Sequence, residues 1–212
     1  MVVKDPPTAA KGRTAEPMAG RAPVVAIVCS SGGLHAAGRV LSGLSATFAG
    51  AVIVLQHVSP DHRSMLPEIL AGRTELPVAA ARDGQPLLPG RVVVAPAGHH
   101  LLVTGDVRVA LIMSGPLPPP RPSADLLLAS LTLACGADAI AVVLSGEGSD
   151  GATGATAVHR FGGTVIVTDE ASTSHFSMPR ACIARDGIVE HVVPLDQVAS
   201  LLIGLVAGRR AR

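Results

Sequence analysis

Three residues of the types that perform nucleophilic chemistry stand where apolar runs end. Ser30 closes Ile27-Val28-Cys29-Ser30 and is followed by Ser31-Gly32-Gly33. His57 closes Val52-Ile53-Val54-Leu55-Gln56-His57, and Asp150 follows Leu144-Ser145-Gly146-Glu147-Gly148-Ser149 and precedes Gly151. An apolar run breaking abruptly into small, polar and glycine residues is how a buried parallel strand emerges at its carboxyl end. That is where open α/β sheets place their ligands. A serine, a histidine and an aspartate delivered to one rim are the parts of a hydrolase: hydroxyl nucleophile, general base, and a carboxylate that orients the base.

Each residue also has an ordinary reading. The Ser30-Ser31-Gly32-Gly33 turn suits a backbone that comes close to substrate with helix-start amides facing a developing oxyanion, but it equally suits an anion-binding or purely structural loop. That turn matches neither GxGxxG nor GxxxxGK[ST], so nucleotide binding there is poorly supported. An aspartate before a helix, like Asp150, is often an N-cap. Cys29 is an alternative nucleophile, yet strand alternation turns it away from Ser30 and toward a packed face, as a buried structural thiol. His99-His100 invites a metal reading, but neighbours on a strand point to opposite faces and make a weak ligand pair.

The elements that must position these residues alternate along the chain. Residues 24–29 and 51–56 read as strands buried on both faces. Between them, Leu34, Ala37, Val40, Leu41, Leu44 and Phe48 recur at helical spacing and predict a helix over 33–48. A helix over 64–73 tolerates Pro67 in its first turn, and 78–80 is a weaker strand. Three short β runs, 91–95, 100–103 and 108–113, suggest an antiparallel insertion or edge. Residues 115–122 hold five prolines, too many for a helix or central strand. Ser123 then caps a helix running to Cys135 and closed by Gly136. The rhythm resumes with a strand at 139–144, a helix at 152–161, a strand at 164–167, a helix at 178–185, a strand at 188–193 and a helix at 195–207. This predicts an α/β fold: a doubly wound, Rossmann-like, mostly parallel sheet flanked by helices, with a short antiparallel β insertion.

Composition limits the function classes. The 212 residues suit one domain, and 48% hydrophobic against 16% charged leaves ample surface to bury. Three Phe and no Trp or Tyr remove the stacking platforms of single-strand binders, and a net charge of +1 without a basic stripe argues against nucleic acid. The three cysteines show neither metal-ligand spacing nor an even disulfide set, so a reducing compartment is the simplest reading. No stretch has the length of a membrane span, and none near the start has the apolar core of a secretory signal. Residues 1–22 read as a disordered tail, 23–208 as the catalytic domain and 209–212 as a short C-terminal tail.

From about Val24 onward the chain resembles the catalytic domain of the chemotaxis protein-glutamate methylesterases (CheB-type). The resemblance is carried by Ser30-Ser31-Gly32-Gly33, Gln56-His57, Arg82-Asp83-Gly84 with Pro89-Gly90, and Ala95-Pro96 with His99-His100-Leu101. It continues through Arg121-Pro122-Ser123-Ala124-Asp125, the Gly146 to Gly151 signature, Asp169-Glu170 and Met178-Pro179-Arg180-Ala181. Each is weak alone; their order is specific. The resemblance implies hydrolysis of glutamyl methyl esters on chemoreceptor cytoplasmic domains, with receptor glutamine deamidation in some members. Ser30 would be the nucleophile, His57 the base and acid, and Asp150 the orienting carboxylate. Ser31, Gly32 and the loop at Glu147 would form the oxyanion and substrate-binding part. It implies a cytoplasmic protein with no metal, no organic cofactor and no membrane insertion.

The chain also departs from the family pattern. Val28-Cys29 stands where the family has Gly-Ala, Ser31 where it has threonine, and Glu147 where it has methionine. A carboxylate aimed at the oxyanion site from about 4 Å would cost roughly 4 kcal/mol at an effective dielectric near 20, about three powers of ten in rate. Pointing into solvent it would cost little. Family members usually carry an N-terminal phospho-receiver domain, for which this sequence has no room before residue 24. The expectation is therefore a standalone catalytic domain not gated in cis, with any such role falling to a separate regulatory protein. The alternatives are a catalytically weakened receptor- or partner-binding module of the same fold, and an esterase acting on another substrate.

Overall fold

The computed structural model describes residues 22–59, 64–114 and 122–210. The predicted N-terminal tail, apart from residue 22, and the proline-rich run, apart from Pro122, lie outside the described residues. Strands β1 (Val24–Cys29) and β2 (Ala51–Gln56) have the predicted limits. They are followed in the sheet by β3 (Val78–Ala80), β4 (Val92–Val94), β7 (Ala139–Val143), β8 (Thr164–Thr168) and β9 (His191–Val193). These seven form one sheet in the order β3-β4-β2-β1-β7-β8-β9, and every pairing is parallel. A separate antiparallel hairpin pairs β5 (His99–Val103) with β6 (Val109–Met113).

The three β runs expected together as an antiparallel insertion therefore divide. Only the last two make the hairpin, while Val92, Val93 and Val94 sit between β3 and β2 with both faces covered. Three consecutive valines carry no alternation, so their sequence does not distinguish an interior parallel strand from an edge.

Among the described residues six α-helices cover the sheet: α1 (Gly33–Ser42), α2 (Leu66–Ala71), α3 (Ala124–Cys135), α4 (Ala152–Arg160), α5 (Ser177–Ile183) and α6 (Val198–Arg210). Alternate residues of β1 point to opposite faces. Val25, Ile27 and Cys29 pack with α1, α2 and α6, whereas Val24, Ala26 and Val28 pack with α3, α4, α5 and the hairpin. These β1 side chains are at most 1% exposed, and each large one buried is worth roughly 1.5–3 kcal/mol.

Helix α1 stops at Gly43, short of the predicted end. Leu44 and Phe48 are buried, as their spacing implied, but they reach the core from a turn in which the Phe48 amide donates to the Ser45 carbonyl. Helix α3 begins and ends as expected, with the Ser123 hydroxyl accepting from the Leu126 amide and Gly136 closing it at φ 53°. The last strand is shorter than predicted, at His191–Val193. The last helix begins after a 3₁₀ turn and runs on through Arg210, into the expected C-terminal tail. Arg209 anchors that end: its guanidinium donates to the carbonyls of Ala137 and Ala139 and to the Thr164 hydroxyl. Among the described residues no helix is long and apolar enough to cross a membrane.

Candidate active site

The strand order puts the ends of β2, β1 and β7 side by side, and residues 30, 57 and 150 meet there although they are far apart in the chain. The β ladder continues one step past β1: the His57 amide donates to the Cys29 carbonyl at 3.1 Å and the Ser30 amide to the Ser145 carbonyl at 2.9 Å. Helices α1 and α4 leave β1 and β7 toward opposite faces of the sheet. A rim where successive connections diverge leaves a crevice. It is a cleft of about 430 Å³ lined by Ser30, Ser31, Gly32, Leu34, His35, Gln56, His57 and Arg73.

Behind the cleft, His57 Nε2 and Asp150 Oδ2 are 2.8 Å apart, with the two side chains 15% and 6% exposed. Asp150 takes three more hydrogen bonds from the start of α3. The Ala124 amide donates to Oδ2 at 2.7 Å, while the Asp125 amide (2.9 Å) and the Ser123 hydroxyl (3.3 Å) donate to Oδ1. The N-cap and histidine-partner readings are thus compatible, except that Asp150 caps α3 rather than the helix that follows it. Burial pushes its carboxyl up, but the hydrogen bonds from His57 and from the Asp125 and Ala124 amides outweigh this and hold it below the usual carboxylate range. A carboxylate at that position accepts the Nε2 proton, so Nδ1 is the ring nitrogen left with a lone pair.

Asp125 returns the service. Its Oδ1 accepts from the amides of Gly151 at 2.9 Å and Gly154 at 2.8 Å, capping α4. The two aspartates therefore cross-cap two helices and hold Asp150 from both sides. Both motifs were visible in sequence, but Gly151 lies 26 residues beyond Asp125, and nothing local announces the exchange.

Ser145, 3% exposed, fixes the nucleophile turn. Its carbonyl holds the Ser30 amide, its hydroxyl donates to the Ser31 carbonyl at 2.7 Å, and the same hydroxyl accepts from the His175 amide at 3.1 Å. Gly32 adopts φ 76°, and a Cβ there would fall 2.7 Å from the Ser145 hydroxyl, so the turn needs glycine for both backbone and space. Among the described residues none accepts from the amides of Ser31 or Gly32, whereas the Gly146 amide is committed to the His175 carbonyl at 2.8 Å. The free donors beside Ser30 are those of its own turn.

Glu147 lies outside the cleft lining. Its side chain is 71% exposed, with Oε1 3.4 Å from His175 Nδ1, so the solvent-facing alternative is the one realised. Cys29 is fully buried, its thiol pointing to the Leu55 carbonyl at 3.6 Å, and burial pushes it up to about 12, which keeps it neutral. His100 is buried and accepts from the Ser123 amide at 3.1 Å, while His99 Nδ1 is 3.2 Å from the Ala97 carbonyl. Neither histidine lines the cleft. Gln56, which entered the sequence reading only beside His57, and Arg73, which carried no signal there, do line it.

A serine, a histidine and an aspartate grouped at the carboxyl rim of a parallel sheet place the chain among doubly wound α/β domains with a candidate Ser–His–Asp site. More narrowly, a family model described as CheB methylesterase matches residues 25–202, and the chain belongs to that family. It is 39% identical over 206 residues to "Protein-glutamate methylesterase/protein-glutamine glutaminase 1" of Myxococcus xanthus, covering 95% of this chain and 59% of that protein. It is 35% identical over 199 residues to a Pseudomonas aeruginosa protein carrying the same name with the number 2, covering 92% of this chain and 56% of that one. The chain thus spans little more than half the length of these curated relatives. The crystal structure of the Thermotoga maritima CheB methylesterase catalytic domain superposes with a TM-score of 0.82 at 32% identity, covering 87% of this chain and 99% of that one.

Proposed function

We propose that the protein hydrolyses glutamyl γ-methyl esters on the cytoplasmic domain of methyl-accepting chemoreceptors, with Ser30 as nucleophile. The observation that carries this reading is the 2.8 Å pairing of His57 with Asp150 at the rim shared with Ser30. Asp150 holds the Nε2 proton, leaving Nδ1 to take the Ser30 proton as the hydroxyl oxygen attacks the ester carbonyl. The tetrahedral oxyanion collapses to an acyl-enzyme and methanol leaves with the proton from His57. Water, deprotonated by the same nitrogen, then releases glutamate and free Ser30. Asp150 stabilises the imidazolium of each step without itself becoming protonated. The amides of Ser31 and Gly32 face the oxyanion.

The Ser30 hydroxyl makes no hydrogen bond to any described residue; in this reading Ser30 and His57, which line the same cleft, close on one another only as substrate fills it. A glutamine carboxamide passes through the same acyl-enzyme with ammonia as the leaving group, and the two relatives' names join both activities. The test is methanol release from a methylated chemoreceptor cytoplasmic fragment. Release by the wild type that vanishes in Ser30→Ala is expected; equal release by both would overturn the assignment.

A further inference from the structure

We infer that Arg73 is a specificity-determining residue that selects esters presented on an acidic peptide, by pairing with a carboxylate adjacent to the reacting side chain. The inference rests on the esterase reading of the cleft and deepens it. Arg73 follows α2 and lines the same cleft as Ser30 and His57, and among the described residues no aspartate or glutamate lines it. Its Nη1 donates to the Leu34 carbonyl at 3.3 Å, and among the described residues no carboxylate pairs with it. Other arginines do have such a partner: Arg39 is 2.6 Å from Asp196, and Arg108 is 3.2 Å from Asp106.

The side chain packs along its neighbouring helix. It lies across α1 at Gly38, where a Cβ would stand 2.7 Å from both Arg73 Cδ and Nη1. A glycine inside a helix is unfavourable for the helix, and here it leaves the channel the arginine occupies. A guanidinium lining the nucleophile's cleft, with no charge partner among the described residues, is a docking point for a planar anion, which its fork of donors matches. A glutamyl methyl ester is neutral, so the anion it meets belongs to a neighbouring residue of the substrate.

Two labelled peptides of one sequence test this, each with a central glutamyl γ-methyl ester. The flanking residues are glutamates in one peptide and glutamines in the other. Binding is read by fluorescence anisotropy on Ser30→Ala, and turnover by methanol release from the protein with Ser30 intact. We expect the acidic peptide to be favoured about two- to fivefold at low salt, the range of an exposed ion pair, fading as salt rises. In Arg73→Gln the ratio between peptides falls to one, Arg73→Lys keeps part of it, and Gly38→Ala, which displaces the arginine, lowers it as Arg73→Gln does. A ratio that survives Arg73→Gln overturns the inference. So does equal loss on both peptides, which would put Arg73 on the reacting ester, and so does the absence of any Arg73-dependent difference in either readout. Arg73-dependent binding of the acidic peptide without methanol release would sink the esterase reading and leave the acid recognition standing.

Discussion

Replacing Asp150 by asparagine is a small change in shape and a large one in hydrogen bonding. Two backbone amides, the Ser123 hydroxyl and His57 Nε2 all approach the two carboxylate oxygens, at 2.7 to 3.3 Å. Asparagine offers one oxygen. If its NH₂ takes the place of Oδ1, it meets the Asp125 amide donor-to-donor. If it takes the place of Oδ2, it meets the Ala124 amide and forces His57 Nε2 to become an acceptor, moving the ring proton to Nδ1, the nitrogen needed as base. Neither orientation pairs every donor, and a buried unpaired amide costs about 1–3 kcal/mol. Asp150→Asn should therefore unfold in urea with that loss of stability while remaining folded at 25 °C. Its kcat for methanol release should fall by about 10⁴, the size of effect produced when a triad carboxylate becomes an amide. A stability change below about 0.5 kcal/mol would refute the shared cap. A folded variant within tenfold of wild-type kcat would refute the role of Asp150 in orienting His57.

Three further outcomes follow from the same geometry. Asp125→Ala leaves the amides of Gly151 and Gly154 without their acceptor and should lower stability in urea by about 1–3 kcal/mol; an unchanged midpoint would remove Asp125 from the α4 cap. Glu147→Met should change methanol release by less than threefold, because the carboxylate is 71% exposed and beside His175; a gain approaching a thousandfold would show it acting at the oxyanion. The Asp150 carboxyl is depressed in the folded protein, so its stabilisation is fully present above the unfolded value of about 3.9 and is lost as pH falls through the lower folded value. The stability gap between the wild type and Asp150→Ala should accordingly shrink as pH falls below about 4, and a gap that widened over that acid range would contradict the sign.

What the sequence determined by itself was local. The ends of β1, β2 and α3 were legible because a strand buried on both faces is a continuous apolar run, and because Ser123 and Gly136 act on the backbone within one turn. The abrupt glycine and polar breaks after β1, β2 and β7 marked Ser30, His57 and Asp150 as rim residues, since side chains at a strand's carboxyl end need no partner in sequence to be exposed there. Spacing was a poorer guide to extent: Leu44 and Phe48 kept helical periodicity although the helix had ended, because burial is rewarded whichever backbone delivers it.

Everything that depended on which strand lies beside which was decided only in three dimensions. The order β2-β1-β7 is what joins His57 to a carboxylate 93 residues away, and the same order makes Val92–Val94 an interior strand. The crossed caps of Asp125 and Asp150, the outward turn of Glu147, and the path of Arg73 across Gly38 are contacts between elements separated by 25 to 35 positions or set by a neighbouring loop. Hydrogen bonds and charges act over a few ångströms. Until packing brings two groups within that distance, their types are readable in the chain but their pairing is not.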